Sequence, residues 1–371
     1  MKVKVVVIGG GPCGIFSSIC IKKNHPDAQV VLLEKENQIA SRIKISGNGR
    51  CNFISKNLEE NKYSSSFVSH IIKYQKEVLE VLEESGLSYY FDEENRGYPT
   101  SESSLTVIQA LNFLLNKYKV EVKTNYLVTS IVQKNDKIVI NDSLSCDKVV
   151  VCIGGISYLN ERLNYNRIIS SLDVKITHLT PSLAPISVSS FPKDLENKKV
   201  KCKVKLLEKG KTIFEEEGEV LFKKDGLSGI VIFNLSSILA RKHLKDYSSF
   251  EVSLDLLPHV SEEKLASLIR INPNLDTIFI PQLASYLKSF SNLIKAIRDL
   301  RFKIRGIYEF KNSQVTSGGI SLDQINLDLS LKKNPNIYVG GELIDIDGQC
   351  GGYNIGYCLC SGYLIGKEII K

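Results

Sequence analysis

At 371 residues, with 43% hydrophobic side chains and no low-complexity tract, the chain exceeds what one hydrophobic core usually fills, so a main domain plus an inserted or appended one is expected. The net charge of +7 is compatible with an anionic cofactor or substrate, and equally with an ordinary lysine-rich surface. No run approaches the roughly 18 apolar residues that span a bilayer, glycines interrupt the opening apolar stretch, and nine cysteines contain no Cys-x-x-Cys pair, which together predict a cytoplasmic globular protein with reduced, buried thiols.

Val3 to Ile8 is a β-branched apolar run, followed by a glycine turn and by Ile15, Ile19 and Ile21 among small residues: strand, tight turn, helix. Val30 to Leu33 ends in Glu34 and completes a βαβ unit. Lys35 to Asn52 is polar and rich in Gly and Ser, and is expected to be irregular and outside the core. Apolar spacing predicts helices over Phe67–Leu82 and Leu105–Leu115, the second capped by Ser103 or Ser104. Strands are expected near Val120, Val128 and Ile138, and a buried parallel strand over Val149–Ile153 before Gly154-Gly155.

The character changes between Thr180-Pro181 and Pro185. Alternating strands follow at Val200–Leu207 and Ile213–Phe222, then helical spacing at Leu265–Ile269 and Leu283–Ile297. Short apolar strands and the doublets Gly318-Gly319 and Gly340-Gly341 then return, and a helix follows Gly351-Gly352. The expected division is 1–185 and 313–371 for the main domain and 186–312 for the insertion.

Gly9-Gly10-Gly11-Pro12-Cys13-Gly14 fits G-x-G-x-x-G. The first glycine permits the turn, the second lets backbone approach a pyrophosphate, and the third lets helix pack on strand. The pattern is weak alone, but it sits between strand and helix, and Glu34 lies 20 residues after Gly14, where a carboxylate accepts ribose hydroxyls. That carboxylate repels a 2′-phosphate, so FAD or NAD is expected rather than NADP.

Three further segments carry a resemblance: Arg42-Ile43-Lys44-Ile45-Ser46-Gly47-Asn48-Gly49-Arg50-Cys51-Asn52; Asp225-Gly226-Leu227-Ser228-Gly229; and Gly340-Gly341-Glu342 to Asp347-Gly348 with Gly351-Gly352-Tyr353-Asn354. Together they resemble the BaiN/YhiN-type flavoproteins, NAD(P)/FAD-dependent oxidoreductases that include members described as aminoacetone oxidases. The resemblance implies an α/β fold: a three-layer, Rossmann-like, glutathione-reductase-type FAD/NAD(P)-binding domain split by an inserted β-barrel-like plus helical domain. It implies FAD as cofactor, with O₂ or NAD(P)H as the second redox partner and a small organic substrate. On this sequence it makes Gly9, Gly11, Pro12, Cys13 and Gly14 the pyrophosphate turn, Glu34 with Lys35 the ribose end, and Glu342 the ribityl ligand. Val128 matches the position whose main chain contacts adenine. Arg42, Ser46, Gly47, Asn48, Gly49, Gly154, Gly155, Gly341, Asp347, Gly351, Gly352, Tyr353, Asn354 and Ile355 complete the cofactor set. Asn48, Arg50, Asn52, Tyr353 and Asn354 are the residues expected to position the reacting groups, and Cys51 is a candidate to face the flavin ring.

The chain departs from that family pattern in places. Ala40-Ser41 stands where glycine and a basic residue are usual, and the glycine-rich stretch after Gly154-Gly155 is reduced to Leu159–Tyr165. Lys223-Lys224 replaces Thr-His, Ile230 replaces proline, and Tyr357 and Leu359 stand where tryptophan is frequent. Lys199, Lys201, Lys203 and Lys205 fall on one strand face, which a nucleic acid could use; a solvated outer face is the simpler reading. The five histidines lack metal-ligand spacing, so no metal site is expected.

Overall fold

The computed structural model describes residues 2–157 and 162–371, so residues 159–161 of the shortened stretch lie outside the described residues. The chain divides into two compact units, one of residues 2–179 with 315–371 and one of residues 180–314.

The first unit opens with β1 (Lys4–Ile8), whose Val5, Val6 and Val7 are fully buried, as a strand covered on both faces must be. The helix α1 (Pro12–Asn24) follows with Pro12 in its first turn and Gly11 at its N-cap, so no side chain caps its N-terminus and the first-turn N–H groups point out unpaired. The strand β2 (Gln29–Leu33) pairs parallel with β1. Within the segment read as irregular lies a short helix α2 (Ser41–Ile45), and Ile39, Ala40, Ile43 and Cys51 are buried. That corrects the expectation that it stays out of the core: its few apolar residues are the ones turned inward.

The helix expected over Phe67–Leu82 is broken. A four-residue turn of helix, Ser69–Ile72, precedes α3 (Gln75–Glu83), and the helix α4 (Ser104–Lys117) begins where expected. The edge strand β3 (Glu121–Lys123) is followed by an irregular stretch over 124–130, so Val128 lies on no strand, and then by a small antiparallel sheet of Ile131–Lys134, Lys137–Ile140 and Leu144–Cys146. Asn141 fixes the irregular stretch, its Oδ1 accepting from the Thr129 N–H at 2.8 Å and its Nδ2 donating to the Leu127 carbonyl at 2.8 Å. The strand β4 (Lys148–Val151) and the helix α5 (Arg162–Leu172) complete this segment.

In the second unit, β5 (Ile186–Val188), β6 (Lys199–Glu208), β7 (Lys211–Lys223), β8 (Gly226–Ser228), β9 (Phe250–Asp255) and β10 (Leu300–Ile307) close a barrel in the order β5-β8-β7-β6-β9-β10. The helix α6 (Ile230–Arg241) adds Val231, Ile232, Leu235 and Leu239 to the same apolar cluster as the barrel interior. Three helices follow β9 in sequence: α7 (Glu262–Ile271), α8 (Pro281–Lys288) and α9 (Leu293–Arg298). The single run expected over Leu283–Ile297 is split because Asn292 caps a new helix, its Oδ1 accepting from the Lys295 N–H at 2.9 Å.

Back in the first unit, β11 (Ile337–Val339) completes an all-parallel sheet of order β11-β4-β1-β2-β3, and α10 (Tyr353–Glu368) packs along α1. Gly362 and Gly366, one turn apart, make this approach possible: a Cβ on Gly362 would lie 2.9 Å from the Ser17 nitrogen, and one on Gly366 3.0 Å from the Ile21 nitrogen.

Candidate functional site

The expected cofactor residues follow the carboxyl ends of four parallel strands, the edge at which α/β sheets bind ligands: Gly9–Gly14 after β1, Glu34 after β2, Gly154-Gly155 after β4 and Gly341-Glu342 after β11. Gly9 is left-handed (φ 104°), and a Cβ there would collide with the Cys152 carbonyl. A Cβ on Gly14 would collide with the Gly9 carbonyl, whereas the space beside Gly11 is empty to 4 Å, which is the open side a phosphate would approach. The thiol of Cys13 turns inward, its Sγ 3.1 Å from the Cys152 Sγ, so only the backbone of Cys13 faces the turn.

Glu34 is 8% exposed and already holds the turn: the Gly10 N–H donates to its Oε2 at 2.6 Å and the Glu36 N–H to its Oε1 at 2.9 Å. Each oxygen keeps a further lone pair for a hydroxyl. Gly10 was unassigned in the motif, yet a Cβ there would lie 2.8 Å from that same Oε2. Lys35 pairs with Glu36 at 3.1 Å.

The loop after α2 is dense in left-handed backbone: Ala40 (φ 59°), Gly47 (φ 55°), Asn48 (φ 55°), Gly49 (φ 85°) and Cys51 (φ 61°). Such strain gathers at functional sites. Arg42 reaches the Gly155 carbonyl through Nη2 at 3.4 Å, while its Nη1 is buried with no hydrogen-bond partner in the protein. Ser46 is turned onto its own loop, its Oγ donating to the Ile43 carbonyl at 2.8 Å. Asn48 is exposed. The Arg50 guanidinium lies over the Tyr98 ring at 4.7 Å and 3.9 Å from Glu102, while its N–H donates to the Gly47 carbonyl at 3.2 Å. Cys51 is fully buried, and burial pushes its thiol up to about 11 against a weaker pull from Ser46. It therefore stays protonated, with its side chain wholly covered by protein. With its amide oxygen toward Gly352, Asn52 accepts from the Gly352 N–H at 3.0 Å and donates to the Ile54 carbonyl at 3.3 Å.

Glu342 sits on a short turn, Gly341–Leu343, and its Oε1 accepts from the Thr316 N–H at 2.8 Å. Burial raises its pKa, opposed by the nearby Arg42 guanidinium and by Thr316. Thr316 also accepts from the Ile156 N–H at 2.9 Å and shares a 3.0 Å hydrogen bond with Ser157. No sequence motif pointed to Thr316; its place two residues before the Gly318-Gly319 doublet was the available signal. Any side chain at Gly155 would press into Thr316 and Glu342.

Around α10 the expected residues form a supporting loop. Asn354 closes it with its whole amide, accepting from the Gly348 N–H at 2.9 Å and donating to the Gly348 and Gln349 carbonyls at 2.8 and 3.2 Å. Gly351 (φ 119°) and Gly352 (φ 87°) bring the chain in left-handed. Tyr353 packs edge-on to Tyr63 at 5.7 Å, and the Tyr63 hydroxyl donates to its carbonyl at 2.9 Å. Asp347 is buried, and its backbone exchanges hydrogen bonds with Ser64. Ile355 is half-buried in the first turn of α10, and Val128 is buried in the Asn141-clipped stretch.

Two uncapped helix N-termini, an open glycine at the turn, an acidic residue at each end, Glu34 buried and Glu342 half-buried, and an orphaned guanidinium nitrogen are what an extended anionic dinucleotide requires. The profile of the HI0933-like protein Rossmann domain matches residues 3–368. The chain belongs to this family of FAD-dependent oxidoreductases. Within reach of the same full length lie the 3-dehydro-bile acid delta(4,6)-reductase of Clostridium scindens, 27% identical with 98% of both chains covered, and the ribosomal RNA dihydrouridine synthase of Escherichia coli, 23% identical with 98% and 97% covered. Among solved structures, the 3-ketosteroid delta1-dehydrogenase of Sterolibacterium denitrificans superposes with a TM-score of 0.50 at 11% identity over 98% of both chains, a likeness of fold. Among the described residues, no helix of this HI0933-like protein is long and apolar enough to cross a membrane.

Proposed function

We propose that this protein reduces a carbon–carbon double bond conjugated to a carbonyl, using FAD held at the turn and NAD(P)H as hydride source. Two relatives that match nearly the whole chain are named for one bond change: a 3-oxo steroid with double bonds at positions 4 and 6, and uracil with its C5=C6 bond, are both conjugated enones. Bound FAD would supply the two-electron chemistry, accepting a hydride at N5 from one substrate and delivering it to the other.

The chain's own residues bind and orient. Glu34 would hold the ribose of the adenosine half, and the free N–H groups of α1 the pyrophosphate, with Arg42 Nη1 as a further donor. Glu342, fixed by Thr316, would meet the ribityl chain. The N-terminus of α10 would face the electron-rich edge of a reduced flavin, where positive helix-end charge is favourable. Asn52 and Asn354 act through the backbone: one holds Gly352, the other Gly348, and so they aim that helix start. The barrel unit would be the substrate-side domain.

The observation that carries this reading is the Glu342–Thr316–Gly155–Arg42 knot, a half-buried carboxylate and guanidinium at the carboxyl edge of a parallel sheet. The test is anaerobic. NADH or NADPH should bleach the flavin band, and a 3-oxo-Δ4 steroid or a uridine-containing RNA should restore it without oxygen. Reoxidation by air alone, with both enones inert, overturns the enone reading in favour of an oxidase; absence of a flavin band after FAD addition overturns the cofactor assignment.

A further inference from the structure

The lysine face of β6 is balanced by its neighbour: Lys199 pairs with Glu219 of β7 at 2.8 Å and Lys203 with Glu215 at 3.3 Å. The surface that stands apart belongs to the first unit and carries no charge. From Ser103 to Asn116 the chain has no Lys, Arg, Asp or Glu, although 24% of all its residues are charged. Much of that run is the outer face of α4, where Gln109, Asn112 and Asn116 are exposed and Leu105 and Phe113 are exposed by 53% and 52%. Helix α3, by comparison, carries Lys76, Glu77, Glu80 and Glu83 within nine residues. An outer face cleared of charge and set with large apolar groups has the composition of the centre of a protein–protein contact.

A groove of about 330 Å³ runs between this face and the sheet, with Leu105, Ile108, Asn112, Leu115, Asn116 and Val122 in its walls. Val122 is the middle residue of β3, is 38% exposed, and β3 is the outermost strand of the parallel sheet. The Lys123 carbonyl accepts from the Glu34 N–H at 2.8 Å, so Lys123 turns its backbone groups toward β2, and alternation along the strand turns those of Val122 to the open edge. Glu121 and Lys123 lie on the strand face opposite Val122, paired with each other at 3.1 Å. Neither proline nor charge occupies the centre of this edge, the usual means by which an edge strand refuses another.

We propose that this edge pairs with the same edge of a second copy of the chain, β3 antiparallel to β3 about a two-fold axis through Val122, with the two α4 faces side by side over the joined sheet. The strand selects its own kind because Glu121-Val122-Lys123 is charge-reversed about its centre. In the antiparallel pair the two Val122 residues exchange both backbone hydrogen bonds, and Glu121 of each copy stands opposite Lys123 of the other. An in-register parallel approach would set like charge against like. The amides of Gln109, Asn112 and Asn116 both donate and accept, so they too suit their own kind across a two-fold axis. This surface is independent of the chemistry at the flavin.

The test is sedimentation of the full-length protein, with FAD supplied, over a wide range of concentration. The wild-type protein should run at twice the mass of one chain and fall to the single mass on dilution. Glu121→Lys sets two pairs of like charges against each other, one on each side of the axis, and should weaken the dimer about tenfold or more; Lys123→Glu should do the same. The two substitutions together restore opposite charges and should recover the wild-type affinity to within about threefold. Leu105→Lys with Asn112→Lys, both on the exposed helix face, should leave single chains whose flavin band and circular dichroism are unchanged. A single mass at every concentration, a dimer indifferent to these substitutions, or a charge-swapped double variant as weak as either single one would overturn the proposal.

Discussion

Gly10 shows how a position that a motif leaves open becomes fixed by its neighbours. Its N–H donates to Glu34 at 2.6 Å, and a methyl group there would press on the same carboxylate oxygen. Gly10→Ala must therefore push Glu34 aside and weaken a charge-assisted hydrogen bond of about 1.5–3 kcal/mol. FAD affinity should fall about tenfold or more, read by titrating flavin fluorescence; unchanged affinity would mean that Glu34 plays no part in the cofactor site. Ala40 is the reverse case. It adopts φ 59°, and left-handed backbone costs a residue with a Cβ about 1–2 kcal/mol. Ala40→Gly gives back about 0.5–1 kcal/mol in added chain entropy, so a net gain of about 0.5–1 kcal/mol is expected, visible as a raised Tm. A lowered Tm would show that the buried methyl group matters more than the strain.

At the scale of elements, Glu84 at the end of α3 joins three helices. Lys23 of α1, Lys117 of α4 and the Tyr118 hydroxyl all contact its carboxylate. Against the burial that would push it up, these partners pull its pKa down to about 2. A depressed carboxylate stabilises the fold above its unfolded value of about 4.5, and that contribution is lost as pH falls through about 2. Glu84→Gln should cost about 1 kcal/mol at pH 7 after allowance for solvent screening, and the difference should close near pH 2 in urea melts. A pH-independent difference would assign the effect to packing. Glu342 has the opposite sign. Its raised pKa means that the proton is held more tightly in the folded state, so its contribution is present below the unfolded value and is lost as pH rises through the folded one. In the cofactor-free protein, Glu342→Gln should therefore remove the fall in stability between the unfolded and the folded value, as read from denaturant midpoints against pH.

For the whole molecule, any ligand of the folded state adds RT ln(1 + [L]/Kd), about 2.7 kcal/mol at a hundredfold excess over Kd. FAD at that excess should raise the Tm of the unit that holds the turn, and a scan unmoved by FAD would count against the site. Much of that site was legible in sequence because it depends on local chemistry. A β-branched run, glycines where backbone must approach backbone, and a carboxylate at the end of the next strand follow from steric and hydrogen-bonding rules that act within about thirty residues. The buried runs of β1 and β4, the start of α4 and the alternation of β6 and β7 follow from the same periodicities. Tertiary structure alone decided how distant groups divide the work. Thr316 rather than a motif residue fixes Glu342, Cys51 is fully buried, and the amides of Asn52 and Asn354 are occupied by backbone. It also decided which basic face is compensated: alternation put four lysines on one face of β6, but the register with β7 set glutamates against them. Periodicity along a strand fixes which way a side chain points, and only the pairing of strands fixes what it meets.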